Sequence, residues 1–165
     1  MGWLKSMLAP RVLAFRLFFC ARASVGPPLL PAADVSTALD RDLPAEVIAA
    51  TKLHILDTIA AVTSGSRLKA GDLAARYVAS LRGNPQATVI GTRTVTSAVN
   101  AALANAMAAH ADETDDTNPI GPVHLGCAAL PAALATAELA GRTGRDLVRA
   151  VSIAYDIGLI PQIGH

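Results

Sequence analysis

The segment His110-Ala111-Asp112-Glu113-Thr114-Asp115-Asp116-Thr117, followed by His124, gathers four carboxylates, threonine and two imidazoles into fifteen residues of a chain that is only 16% charged. A carboxylate beside a hydroxyl and an imidazole can position water and move protons when burial brings a pKa toward neutrality. The four acids at 112, 113, 115 and 116 project in different directions whether the backbone there is helical or turning, so they cannot all serve one site. One or two belong to chemistry, and the others cap helix ends or hold a histidine. On the competing reading, Asp115, Asp116 and Thr117 cap the next helical turn and the rest is solvated.

The same residues offer other chemistry. Asp112, Asp115 and Asp116 could supply oxygen ligands to Mg²⁺ or Ca²⁺. Their spacing does not fit an EF-hand loop, because the glycine and the closing glutamate are misplaced. The expectation is therefore no metal. His124 precedes Leu125-Gly126 at a helix start, where an imidazole can face an anion beside free backbone N–H groups; alternatively it caps its own turn. His54 falls inside a periodic helix and reads as a core or boundary residue. Cys127 has no activating base near it in sequence and reads as a small buried apolar residue. Tyr155 and Asp156 are ambiguous.

These groups must be positioned by a helical body. Asp34 to Leu39 opens a short helix. Pro44 suits a first helical turn, with Asp42 as a candidate cap, and apolar positions from Val47 to Val62 recur at helical spacing until Gly65 closes the helix. Leu68 to Leu81 reads as an amphipathic helix stopped by Gly83-Asn84-Pro85. Ala87 to Ile90 is a short β-like run. Thr96 or Ser97 caps a helix from Ala98 to His110, so poor in charge that burial on most sides is expected. Asn118, Pro119, Gly121 and Pro122 break the chain into a loop at the mouth of this body, where functional groups tend to sit. Cys127 to Ala140 and Thr143 or Gly144 to Ile160 are further helices, the last ended by Pro161. The fold class is all-α, with at most one short strand near 87–90.

Composition sets the outer bounds. The chain has 165 residues, 52% hydrophobic, with a net charge of +1 and a mean hydropathy of +0.41. Alanine supplies much of the apolar excess, and alanine favours closely packed helices. Without a basic field, nucleic acid is not an expected partner. Two cysteines without ligand spacing argue against structural zinc or a disulfide framework. Residues 1–33 form a separate region with four basic residues and no acid. Arg16 interrupts the apolar run from Val12 to Ala21, which is too short to span a bilayer, and no membrane is expected as a partner. This leader reads either as a mitochondrial transit peptide or as an extension without a targeting role. The expected location is accordingly cytoplasmic, or mitochondrial in the first case. Residues 34–165 form the helical body.

Several segments together resemble the MmgE/PrpD superfamily, which includes 2-methylcitrate dehydratase, cis-aconitate decarboxylase and iminodisuccinate epimerase. Lys52 to Ala61 is similar to its early "xxLDTxAa" helix and Asn100 to His110 to its "NGxxAHA" helix. Asp112 to Thr117 resembles its "DFDDT" loop, His124 to Glu138 its "HPGAAVLPAALALAE" segment, and Gly144 to Tyr155 its "GxDLLxAxxxGYE" helix. The resemblance covers about residues 35 to 160. It implies the N-terminal portion of a helical domain in a homodimeric enzyme that needs no metal or organic cofactor. Such enzymes remove a proton next to a carboxylate of a small di- or tricarboxylate, then lose water or CO₂ or reprotonate.

Carried over residue by residue, the resemblance implies Glu113, Thr117 and His124 as catalytic positions. Asp112 is the alternative to Glu113 by a one-residue slip, and Asp115 and Asp116 match the paired acids; all three are expected to bind substrate. His124 would bind or protonate the substrate, and the acid would orient it or accept a proton. The chain departs from the pattern at Glu113, where aspartate is usual, at Asn118, where histidine is common, and at Leu125, where proline usually follows the histidine. The family's site lysines and its later histidine and tyrosine fall beyond residue 165, and Lys52 and Lys69 match none of them. A polycarboxylate needs cationic partners. The expectation is thus an N-terminal part of such a lyase, inactive alone; the alternatives are a non-catalytic helical module needing a partner subunit, or a gene remnant.

Overall fold

The computed structural model describes residues 42–111, 113–117 and 123–163, with the side chains of 159–163 excepted. The leader 1–33, the Asp34 to Leu39 helix, Asp112, Asn118 and His165 lie outside the described residues. Five helices and a two-stranded hairpin make up the rest, in the order α1 (Ala45–Gly65), α2 (Lys69–Ser80), β1 (Ala87–Thr88), β2 (Val95–Thr96), α3 (Ala98–Ala109), α4 (Gly126–Leu139) and α5 (Gly144–Ile163). The architecture is all-α, as the periodicity predicts.

Local side chains cap the starts of α3 and α5. Pro44 is the N-cap of α1, just outside its first turn, and no side chain caps that end. Asp42 does not serve there; it is exposed, with a carboxylate oxygen 4.0 Å from Arg149 Nη2. Of the two candidates before α3, Ser97 is the cap: its Oγ accepts from the Asn100 N–H at 3.4 Å. At α5, Thr143 and Asp146 form a reciprocal box. The Asp146 carboxylate accepts from the Thr143 N–H at 3.0 Å and hydroxyl at 2.9 Å, and the Asp146 N–H bonds back to Thr143 Oγ1 at 3.3 Å. These bonds hold the Asp146 carboxyl below its ordinary range. Helix α5 does not stop at Pro161; it runs through it to Ile163. The missing proline N–H costs one helical bond but leaves the carbonyl side of the chain free to continue.

The β-like run at 87–90 pairs with a second short strand that the sequence pattern does not announce. Ala87 faces Thr96 and Thr88 faces Val95, antiparallel. Asn105, 1% exposed on α3, pins this hairpin to the bundle. Its Oδ1 accepts from the Ile90 N–H at 2.9 Å and its Nδ2 donates to the Thr88 carbonyl at 3.0 Å. Glu138 on α4 accepts from the Thr88 N–H at 2.6 Å. Gly91 holds the turn at φ +79, close against Ser66.

Small residues let the helices approach closely. Ala74 and Val78 of α2, Ala101 and Ala104 of α3 and Ala135 of α4 share one core with Ala87 and Val89 of the hairpin. A second core joins Val62 of α1 to Ala108 and Ala109 of α3, and a third joins Leu130 of α4 to Val151 and Tyr155 of α5. Where α1 meets α3 there is room for no side chain at all: a Cβ on Gly65 would fall 1.8 Å from the Ala108 carbonyl oxygen.

Helix α3 corrects one expectation. It buries a single face of Ala101, Ala104, Asn105, Ala108 and Ala109, while Val99, Leu103 and Met107 stand exposed on another. Absence of charge predicts burial on most sides, but the burial here comes from alanine on one side, and the bulky residues face outward at i, i+4, i+8 spacing. Helix α1, apolar and long enough by length and composition to cross a bilayer, likewise exposes Leu53 and Leu56 while packing Thr58, Ala61 and Val62 inward.

Candidate functional site

The loop between α3 and α4 enters the bundle through two adjacent carboxylates that turn to different partners. Asp115 faces the end of α3 and the start of α4. Its side chain is wholly buried, and His110 Nδ1 lies 3.2 and 3.1 Å from its two oxygens. His124 Nδ1 lies 3.5 Å from Asp115 Oδ1. The two imidazoles meet edge to face, their centroids 5.1 Å apart. Cys127, the second residue of α4, donates its thiol to the His124 carbonyl at 3.2 Å. Burial first, then the bond and charge of Asp115, push the Cys127 thiol up to about 12. It is therefore a neutral thiol and no nucleophile at ordinary pH.

Asp116 faces α1, α4 and α5. Its Oδ1 accepts from the Gly126 N–H at 2.8 Å, which caps α4 from ten residues upstream. Its Oδ2 accepts the Tyr155 hydroxyl at 2.5 Å and lies 3.7 Å from His54 Nδ1. The rings of His54 and Tyr155 pack with centroids 4.7 Å apart. Gly126 is required by this arrangement: a Cβ there would come within 2.5 Å of Thr58 Oγ1, 2.6 Å of Asp116 Oδ1 and 2.9 Å of the Tyr155 oxygen. Burial lowers the His54 pKa, with Asp116 and Asp57 opposing it in part. Burial, then the Asp116 charge, raises that of Tyr155. Tyr155 is thus a fixed donor to a carboxylate.

The expected site residues fare differently. His124 is part of the cluster, about a third exposed. Glu113 and Thr117 are exposed on the loop outside it. Glu113 sits at φ +53, the left-handed region that a glutamate rarely adopts. Asp115 and Asp116, expected to meet substrate, are turned to protein partners, and Asp112 lies outside the described residues. Three further polar groups come in that the sequence reading did not assign to the site: His110, His54 and Tyr155. A signal for them existed. The His54 imidazole and the Tyr155 phenol on the inward faces of helices need hydrogen-bonding partners, and the loop, next to His110 at the end of α3, carries more carboxylates than capping requires.

Two other features bear on ligands. One donor atom from each of His110, Asp115 and Cys127 falls within 4.8 Å of the others, a mixed nitrogen, oxygen and sulfur set of the kind zinc accepts. In the structure these atoms are engaged with one another and the thiol keeps its proton. Of the oxygen ligands considered above, Asp115 and Asp116 turn to different partners. A groove of about 570 Å³ between α4 and α5 is lined mainly by alanines, with Thr136, Arg142 and Asp146 at its edge. It holds none of the clustered histidines, so its size alone does not make it the reactive centre.

The polar cluster therefore presents two histidines backed by a buried carboxylate, beside a strained acidic loop. Such a set can orient an imidazole for proton transfer and meet a carboxylate-bearing ligand. The chain is 29% identical over 128 residues to cis-aconitate decarboxylase of Aspergillus terreus, covering 74% of this chain and 26% of that protein. It is 28% identical over 130 residues to cis-aconitate decarboxylase-like protein oryM of Aspergillus oryzae, covering 74% and 27%. The chain thus spans about a quarter of the length of these relatives. No solved structure gives a significant match. Residues 32–161 match the MmgE/PrpD N-terminal domain, and the chain belongs to that family.

Proposed function

We propose that this chain is the N-terminal domain of a lyase acting on a small di- or tricarboxylate, with decarboxylation the favoured chemistry. Family membership supports a lyase, and two relatives that carry the name of cis-aconitate decarboxylase favour loss of CO₂ over loss of water. The observation that carries the site assignment is His124, partly exposed and backed by the buried Asp115. His124 binds the substrate or delivers the proton that replaces the departing carboxylate. Glu113 orients the substrate or accepts a proton, and Thr117 offers a hydroxyl beside it. The cationic groups that a polycarboxylate requires come from outside this domain, so the domain alone does not turn substrate over. The complete enzyme is a homodimer that works without metal or organic cofactor.

The test is an assay of CO₂ release from cis-aconitate by the protein that contains this domain. His124→Ala is expected to lower kcat by roughly 10²- to 10⁴-fold, the usual weight of a proton-transfer group. Full activity of that variant, or turnover by the 165-residue chain alone, overturns the reading.

The exposed stripe of Val99, Leu103 and Met107 on α3 favours a second reading, a helical module that pairs with a partner subunit. Co-purification of a second polypeptide that restores turnover would select it.

A further inference from the structure

Asp115 is the most deeply buried carboxylate among the described residues of the loop, with no part of its side chain exposed, yet substrate must reach the groups that react with it. Its place in the structure is behind the imidazoles. His110 Nδ1 approaches both of its oxygens, at 3.1 and 3.2 Å. His124 Nδ1 is buried without a hydrogen-bonding partner, and Asp115 Oδ1 lies 3.5 Å from it. An unpartnered buried ring nitrogen costs on the order of 1–3 kcal/mol, and a small ring rotation removes that cost by closing the gap to Asp115. A carboxylate only accepts, so Nδ1 must carry the proton. The remaining nitrogen, Nε2, is then bare on the neutral ring and directed away from Asp115.

We propose that Asp115 is a positioning residue that fixes His124 as its Nδ1–H tautomer and presents Nε2 to the substrate, with His110 clamping the carboxylate in place. Asp115 therefore acts through His124 and not on the substrate. The role rests on the lyase reading for its catalytic meaning but not for its geometry. It also accounts for two histidines converging on one acid: His110 holds Asp115 through both oxygens, which leaves the edge of Oδ1 aimed at His124. An aspartate behind an imidazole selects tautomer and orientation in unrelated hydrolases by the same logic.

The tautomer can be read directly. The chain has four histidines, His54, His110, His124 and His165, so long-range ¹H–¹⁵N correlation spectra of the histidine-labelled 165-residue chain are simple to assign with single His→Asn variants. His124 and His110 are expected as Nδ1–H tautomers in their neutral forms. Asp115→Asn, which keeps shape but can donate an N–H, is expected to move His124 to the Nε2–H form while leaving His54, on the Asp116 side, unchanged. An Nε2–H tautomer of His124 in the unsubstituted chain overturns the proposal and needs no variant to fold. So does an Nδ1–H signal that persists in a folded Asp115→Asn variant. In the complete enzyme, Asp115→Asn is expected to lower kcat by roughly 10²- to 10⁴-fold with KM little changed, and a KM effect alone returns Asp115 to substrate binding. If the enzyme proves to be no decarboxylase, the spectra still decide the tautomer, so the two failures are distinguishable.

Discussion

His54 shows how a residue that reads as core acquires a second meaning from its neighbours. Its side chain is 14% exposed and its Nδ1 sits 3.7 Å from Asp116, and burial leaves its pKa below the ordinary 6.5. As pH falls through 6.5 the unfolded chain takes up a proton that the folded chain refuses. The stability contributed by neutral His54 is therefore complete above pH 6.5 and is lost as pH drops toward the folded value. The slope cannot exceed about 1.4 kcal/mol per pH unit for one proton. Urea unfolding at about pH 7.5 and pH 5 is expected to show a smaller loss for His54→Gln than for the unsubstituted chain. Equal losses would mean that His54 titrates freely in the bundle. His54, His110 and Tyr155 escape a reading of the sequence because their partners lie across the bundle or past a turn, where no spacing rule reaches. Tyr155 and Asp116 are 39 residues apart yet share a 2.5 Å hydrogen bond.

At the scale of elements, helix positions were legible and their environments less so. Ser97 marks a real helix start because it acts through local backbone chemistry, which the sequence states directly, whereas Gly65, the last residue of α1, is set by its contact with Ala108 across the bundle. The hairpin partner Val95–Thr96 was not legible, since two residues carry no alternation and the pairing is held by Asn105 and Glu138 from distant helices. The outward stripe on α3 was hidden because lack of charge does not say which face is covered. Glycines provide the sharpest test of helix contact. Gly65→Ala must force α1 away from the Ala108 carbonyl and is expected to destabilise the bundle by about 3 kcal/mol or more. Gly144→Ala, at the start of α5 with nothing within 4 Å of the added methyl, is expected to change stability by about 0.5 kcal/mol or less. Thermal or urea unfolding of the pair measures both. Similar midpoints would mean that α1 and α3 are less closely packed than described.

For the molecule as a whole, resemblance along the chain revealed the family, while the composition alone revealed only a close-packed helical body. What remained hidden is how much apolar surface this body leaves uncovered. Leu53 and Leu56 on α1 and Val99, Leu103 and Met107 on α3 are all exposed, more than a solitary soluble domain usually displays in contiguous stripes. The 165-residue chain is expected to self-associate in sedimentation experiments and to bind an apolar dye. Replacing Leu103 and Met107 by glutamine should reduce both effects with a stability change of about 0.5 kcal/mol or less per site. A dispersed monomer that excludes the dye would show that these stripes are not sticky enough to need a cover.

The forked attachment of the loop has a practical side. Asp115 and Asp116 fasten one stretch of chain to residues of α1, the end of α3, the start of α4 and the middle of α5. The loop and the bundle are consequently one cooperative object: a ligand held by His124 is tied through Asp115 and Asp116 to four helices. A compound that binds there raises the melting temperature of the entire body, by about 2.7 kcal/mol of added stability at a hundred times its dissociation constant. Small carboxylic acids can thus be ranked by the heat the protein withstands, before any reaction is assigned to it.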